Sequence, residues 1–217
     1  MKVAEKFVSI NGEGQRAGEL AVFIRFTGCN LNCSYCDTKW ANKSDCPYEE
    51  MTPEEIYSYI LSTGVKNVTL TGGEPLLHNN IYKLIKLLTS DKDLSVEIET
   101  NGSVDISEYK KLKNPPTITL DYKSPSSGME SKMLMSNYKY IDSRDTVKFV
   151  CGSKEDLKKA KYITDNYINE GKIYISPVFG KIEPEEIVNF MINNNMNNVR
   201  LQLQLHKFIW EPDRKGV

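Results

Sequence analysis

The chain has 217 residues, 40% of them hydrophobic and 26% charged, with a formal net charge of −1. A domain of that size buries roughly 70% of the surface its unfolded chain exposes, so it needs no covalent staples. Near-neutrality excludes a general binder of nucleic acid or anionic membrane, and no stretch approaches the ~18 apolar residues of a membrane span.

In chain order, Met1 to Lys6 carries charge with no apolar segment behind it, which is not a secretory leader, so a cytoplasmic location is expected. Residues 20–27 are apolar, aromatic and branched, and read as a strand. A loop rich in Gly, Asn and Cys follows over 28–40. Thr52 ahead of Pro53-Glu54-Glu55 is a helix N-cap, and the helix runs through Ile56, Tyr59 and Ile60 to near Gly64. Val68 to Thr71 reads as a strand, and Ile81, Leu84, Ile85 and Leu88 mark a helix. Val96 to Thr100 and Thr117 to Tyr122 are strands. Asp145 to Cys151 is a strand leading to a polar helix from Ser153 to about Tyr167. Lys172 to Ser176 is a strand, Pro184 opens a helix that ends in the Asn-rich run 193–198, and Val199 to Leu205 is the last strand.

Strand–helix alternation implies right-handed crossovers and a mostly parallel sheet. The expected fold is one α/β domain over residues 1–217, a partial (open) TIM-like barrel of about six parallel strands with helices outside. In such folds the functional loops leave the C-terminal ends of strands. Five loops do so here: the cysteine loop, Thr71-Gly72-Gly73-Glu74-Pro75, Glu99-Thr100-Asn101-Gly102, Lys123-Ser124-Pro125-Ser126-Ser127 and Ser176-Pro177. They are expected to meet on one rim as an active site.

The chain has five cysteines, and three of them, Cys29, Cys33 and Cys36, fall in one short loop. In a reducing compartment such crowding points to metal or catalysis rather than disulfides. Iron–sulfur clusters are held by thiolates and usually take four, so three would leave one iron open for chemistry. The alternative is a zinc site with Cys46 as fourth ligand. His78 and His206 read as solvent-facing or substrate contacts, and Cys151 as a small core residue. Paired glycines at a strand end let the backbone approach a ligand closely, so Gly72-Gly73 supports the cysteine motif. Arg25 interrupts an apolar strand, where an unpaired charge is costly; it either grips an anion with its planar fork or pairs with a nearby acid.

These motifs, together with Ser9-Ile10-Asn11-Gly12-Glu13-Gly14, Tyr35-Cys36-Asp37-Thr38 and Gln204-Leu205-His206-Lys207, resemble the radical S-adenosylmethionine (SAM) superfamily and, within it, the 7-carboxy-7-deazaguanine synthase family. The resemblance runs nearly end to end. It implies a 4Fe-4S cluster on Cys29, Cys33 and Cys36, whose open iron chelates SAM and cleaves it to a deoxyadenosyl radical. It implies ring contraction of 6-carboxy-5,6,7,8-tetrahydropterin to 7-carboxy-7-deazaguanine with loss of ammonia, in queuosine or other 7-deazapurine synthesis. SAM is regenerated. Mg2+ is implied on Thr38, and SAM contacts at Tyr35, Asp37, Gly73, Glu74, Lys123, Ser124 and Pro177. Substrate contacts are implied at Ile10, Asn11, Gly12, Glu13, Arg25, Thr71, His206 and the terminal Val217. The family pattern also implies a homodimer and a flavodoxin or ferredoxin electron donor, with no nucleic-acid or membrane partner. Asn11 departs from the family's usual Gln by one methylene. The rival within the superfamily is a glycyl-radical activating enzyme, which shares the cysteine spacing but acts on a large protein.

Overall fold

The computed structural model describes residues 1–211 and 214–217. Its strands are β1 (Lys2–Ile10), β2 (Leu20–Phe26), β3 (Glu49–Glu50), β4 (Asn67–Gly72), β5 (Ser95–Thr100), β6 (Thr117–Tyr122), β7 (Thr146–Cys151), β8 (Lys172–Pro177) and β9 (Val199–Leu201). Its helices are α1 (Pro53–Thr63), α2 (Ile81–Ser90), α3 (Ser107–Lys110), α4 (Lys154–Tyr167), α5 (Pro184–Asn193) and α6 (His206–Ile209). All the strands join one sheet in the order β3-β1-β2-β4-β5-β6-β7-β8-β9. From β2 onward every neighbouring pair is parallel, whereas β1 and β3 add antiparallel.

That order makes the sheet an open barrel and not a doubly wound one. Strand order never reverses from β2 to β9, so right-handed crossovers put every helix on the same face. The sheet then curls with helices outside, as an open barrel. Its outer face carries the apolar positions Ile24, Leu70, Ile98, Leu120, Val147, Phe149 and Ile175, packed with Ile56 and Ile60 of α1, Leu84 and Leu88 of α2, Leu157 of α4 and Ile187 of α5. The alternate positions face inward and are polar: Arg25 beside Thr71, Thr69 beside Glu97, Glu99 beside Thr119, Asp121 beside Lys148.

The local signals act as expected at α1, where Thr52 and Glu55 form a reciprocal capping box and Pro53 opens the first turn. Thr52→Ala should lower stability by about 1 kcal/mol; a urea melt should show an earlier midpoint with an unchanged slope. Two expectations need correction. The last strand stops at Leu201, because Gln202 and Gln204 turn their side chains inward to bond the Gly14 backbone and Glu13. The N-terminus, read only for its charges, is the nine-residue strand β1. Its Glu5 is neutralised by Arg25, at 3.0 Å, which lets a charged segment enter the sheet.

Candidate active site

The cysteine loop leaves β2 and is clipped by backbone bonds to the loops around it. Gly73 N–H donates to the Phe26 carbonyl and Glu74 N–H to that of Gly28, while Gly28 N–H donates to Ala41 in the 3-10 turn Lys39–Asn42. Ser34 is held by the Ser126 and Ser127 carbonyls of the loop after β6. Asn101, after β5, bonds the Asn30 side chain at 3.0 Å and donates to Cys29 Sγ at 3.4 Å. Tyr35 reaches the end of β7, where its hydroxyl donates to the Val150 carbonyl at 3.1 Å. The glycines are required by this contact: a Cβ on Gly72 would overlap the Phe26 backbone, and one on Gly73 the Gly28 carbonyl oxygen. Three of the other four expected loops are thus bonded to the cysteine loop at one rim. The fifth, after β8, is tied to β7 through Val178 N–H and the Cys151 carbonyl.

Burial pushes the Cys33 thiol up; Lys123 opposes it, and Cys36 and Cys29 add to it. Cys29 Sγ accepts a second N–H, from Leu31 at 3.4 Å. Among the described residues no three His, Cys, Asp or Glu side chains close on one point as ligands of a single ion. In a cluster each thiolate binds its own iron, so the thiols need not share a point. The donor set fits such a cluster: three soft sulfurs, one already receiving two hydrogen bonds of the kind that stabilise thiolate charge. It also fits a polar ligand beside it, because Ser124 Oγ and Asp121 Oδ1 are buried with no partner among the described residues.

The segment 11–19 joins the end of β1 to the start of β2, so it lies at the opposite mouth of the barrel from the cysteine loop. There Arg16 bonds Asn67 at the start of β4, and Gln15 bonds the Arg144 and Asp145 carbonyls just before β7. It plugs that mouth and sends Glu13 into the interior. Glu13 accepts from Lys148 at 2.8 Å, Ser176 at 3.0 Å and Gln204 at 3.2 Å. Gly12 lies against His206, where a Cβ would come within 2.8 Å of Nδ1. Asn11 accepts from Thr69 at 3.0 Å and leaves its buried Nδ2 unpartnered among the described residues.

Charge inside the barrel is dense. Asp37 sits among charges at the rim: desolvation by the surrounding protein pushes its carboxyl up, but the Thr38 hydroxyl at 2.8 Å and the cations of Lys148, Lys207 and Arg25 outweigh that and lower it. Burial holds His206 neutral by lowering it, against the pull of Glu13 and Asp37. Burial, with Glu99 adding to it, pushes the Glu97 carboxyl up to about 7 from an ordinary 4.5. A carboxyl raised in the folded state binds its proton more tightly there, so stability falls as pH rises from about 4.5 towards 7. Glu97→Gln should flatten that slope and stabilise the protein above pH 7 by on the order of 2 kcal/mol. Denaturant melts from pH 5 to 8 measure it.

The expected residues fall into two groups. Gly73, Tyr35 and Ser124 surround the cysteine loop, as does Lys123, whose amine pairs with Asp121 at 2.8 Å. Pro177 ends β8 above Ser176. The Glu74 carboxylate is spent on Thr100 and the Leu76 and Asn101 backbone, wholly buried, so only its backbone can face a ligand. Asn11, Gly12, Glu13, Arg25, Thr71 and His206 line the interior or its plug, with Thr71 donating to Glu99 at 2.7 Å, whereas Ile10, paired with Leu20, ends β1 on the outer-face register of Ile24. Val217 ends a tail whose Lys215 lies 4.0 Å above the Trp40 ring, beside the cysteine loop. His78 is structural: it bonds the Thr27 carbonyl and packs on Phe26. Sequence reasoning passed over Glu97, Glu99, Asp121 and Lys148. Each is a charge at an alternate position of an apolar strand, the same signal that singled out Arg25.

The model of the radical SAM superfamily matches residues 23–191, so the chain belongs to that superfamily. The fold agrees, since a crystal structure of QueE from Escherichia coli superposes with a TM-score of 0.71 at 22% identity, covering 94% of this chain and 93% of that one. Relatives narrow the assignment. A 7-carboxy-7-deazaguanine synthase of Clostridium acetobutylicum is 59% identical over 100% of this chain and 99% of its own. One from Methanospirillum hungatei is 38% identical over 98% and 86%. Within the superfamily, then, the chain belongs to the 7-carboxy-7-deazaguanine synthases.

Proposed function

We propose that this chain catalyses the radical SAM-dependent conversion of 6-carboxy-5,6,7,8-tetrahydropterin to 7-carboxy-7-deazaguanine, releasing ammonia, for queuosine or another 7-deazapurine. The observation that carries this reading is the plugged, polar barrel interior beneath the cysteine loop. A small polar heterocycle needs such an enclosed chamber, whereas an activase acting on a protein needs an exposed docking face. Together the bound cluster and SAM supply hydrogen abstraction from carbon, here at C6 of the pterin.

The chain's own residues then bind, orient and exclude water. Cys29, Cys33 and Cys36 would hold the cluster, and the backbone at Gly73 and Glu74, with Tyr35, Asp37, Lys123, Ser124 and Pro177, would hold SAM. Arg25 spends its Nε on Glu5, which fixes the guanidinium plane, and its terminal nitrogens would grip a substrate carboxylate. Glu13, neutral His206, Asn11 and Thr71 would present hydrogen-bonding groups to the ring. Thr38 donates its proton to Asp37, leaving its oxygen lone pairs to a hard cation such as Mg2+. Val217 would close the chamber from the Trp40 side. We assign the whole of 1–217 to one catalytic domain, working as a cytoplasmic homodimer with a flavodoxin or ferredoxin donor; among the described residues no helix is long and apolar enough to cross a membrane.

The test is an anaerobic assay of reconstituted protein with SAM, reductant, Mg2+ and the pterin, followed by mass spectrometry. A deazaguanine product supports the reading, and SAM cleavage without it points to an activase. Thr38→Ala should raise the Mg2+ concentration for half-maximal rate about tenfold or more. An unchanged magnesium dependence would remove Thr38 from the metal site.

A further inference from the structure

A run of alternating charge crosses the barrel interior, from the cysteine loop to the plug. Lys123, beside Cys33, pairs with Asp121; Asp121 neighbours Lys148 on the adjoining strand; Lys148 pairs with Glu13. Lys148 is the link that no ligand reading explains. It sits at the middle of β7, between the fully buried Val147 and Phe149, and is itself only 8% exposed. A lysine there is costly unless neutralised. Its neutralisers come from three elements: Glu13 from the plug, Asp121 from β6 and Glu99 from β5, and together they hold the ammonium charged. Tyr174 faces it from β8.

Glu13 is the only one of these acids carried by a loop, and a loop carboxylate needs to be held if it is to meet a substrate with a fixed geometry. Resting on the functional reading above, we infer that Lys148 is a positioning residue that fixes the Glu13 carboxylate in the chamber, with Asp121 and Glu99 anchoring the ammonium from the strand side. Ser176 and Gln204 complete the clamp, but both are neutral donors. Only Lys148 brings a positive charge to the carboxylate, so its contact is an ion pair as well as a hydrogen bond.

The experiment is a double-mutant cycle on the reconstituted holoenzyme with Lys148→Met, Glu13→Gln and the pair, and with Lys148→Arg as the conservative variant. Lys148→Met should raise the pterin KM, and the pterin Kd measured by calorimetry on SAM-loaded enzyme without reductant, by about 30-fold. The double variant should be no worse than the poorer single one to within about threefold, because both remove one interaction. Lys148→Arg should recover most of the affinity. Should Lys148→Met fail to fold, the charge-length swap decides. Glu13→Asp alone should lose affinity, and adding Lys148→Arg, a longer cation for the shorter acid, should restore it. An unchanged Kd in Lys148→Met, a double variant showing the product of both single losses, or a swap that restores nothing would overturn the inference. If the wild-type holoenzyme makes no deazaguanine, it is the functional reading that fails; a working wild type with independent variants fails this inference alone.

Discussion

Cys33→Ala is expected to abolish turnover, by a factor of about a thousand or more, while leaving a folded protein. Three sulfurs from one loop are the entire protein contribution to the expected cluster, so two cannot hold it in place. Lys123 also opposes the effect of burial on the Cys33 thiol. The fold does not depend on it, because the loop is pinned by backbone bonds to Phe26, Gly28 and Ala41 that involve no sulfur. Iron content and the visible absorbance of the reconstituted protein should collapse, with the circular dichroism spectrum unchanged. A Cys33→Ala protein that kept its iron and its rate would remove this loop from the chemistry. Cys46→Ala provides the contrast, and zinc-like dependence on Cys46 would favour the four-thiol alternative.

Gly73→Ala should be nearly as damaging, by a different route. Here one methyl group would overlap the Gly28 carbonyl and press on the Asn42 side chain. Backbone cannot swing aside as a long side chain can, so the cysteine loop and the glycine loop must part. Overpacking of this kind costs about 1–3 kcal/mol or more. The greater loss is positional, since Gly73 and Glu74 donate the two backbone bonds that register the loops. A displacement of about 1 Å in such a site costs roughly a hundredfold in rate. The check is rate and SAM affinity together: both should fall, with the melting temperature down by several degrees. A variant with native SAM affinity would show that the glycine contact is a packing detail.

Much of this was legible in the sequence, for identifiable reasons. Helices α1 and α5 declare themselves through Pro after the cap and acids in the first turn, and the parallel strands through apolar runs. The rim was legible because loops after parallel strands share one end. Strand β1 was not, because Lys2, Glu5 and Lys6 break its apolar pattern, and the base that makes Glu5 tolerable there, Arg25, lies twenty residues away. The plug was not legible either: that segment 11–19 closes the far mouth follows from antiparallel pairing of β1 with β2, a long-range fact. The same holds for Lys148. Its strand announces that it is inside, but only the assembled sheet brings Asp121 beside it and Glu13 onto it.

The most direct test of the central claim uses a pterin deuterated at C6, with the reconstituted enzyme, SAM and reductant. The account predicts deuterium on the 5′ carbon of recovered SAM, deazaguanine as product, and no net loss of SAM. Unlabelled SAM consumed in step with turnover, or deazaguanine formed with no deuterium reaching the adenosyl group, would contradict it.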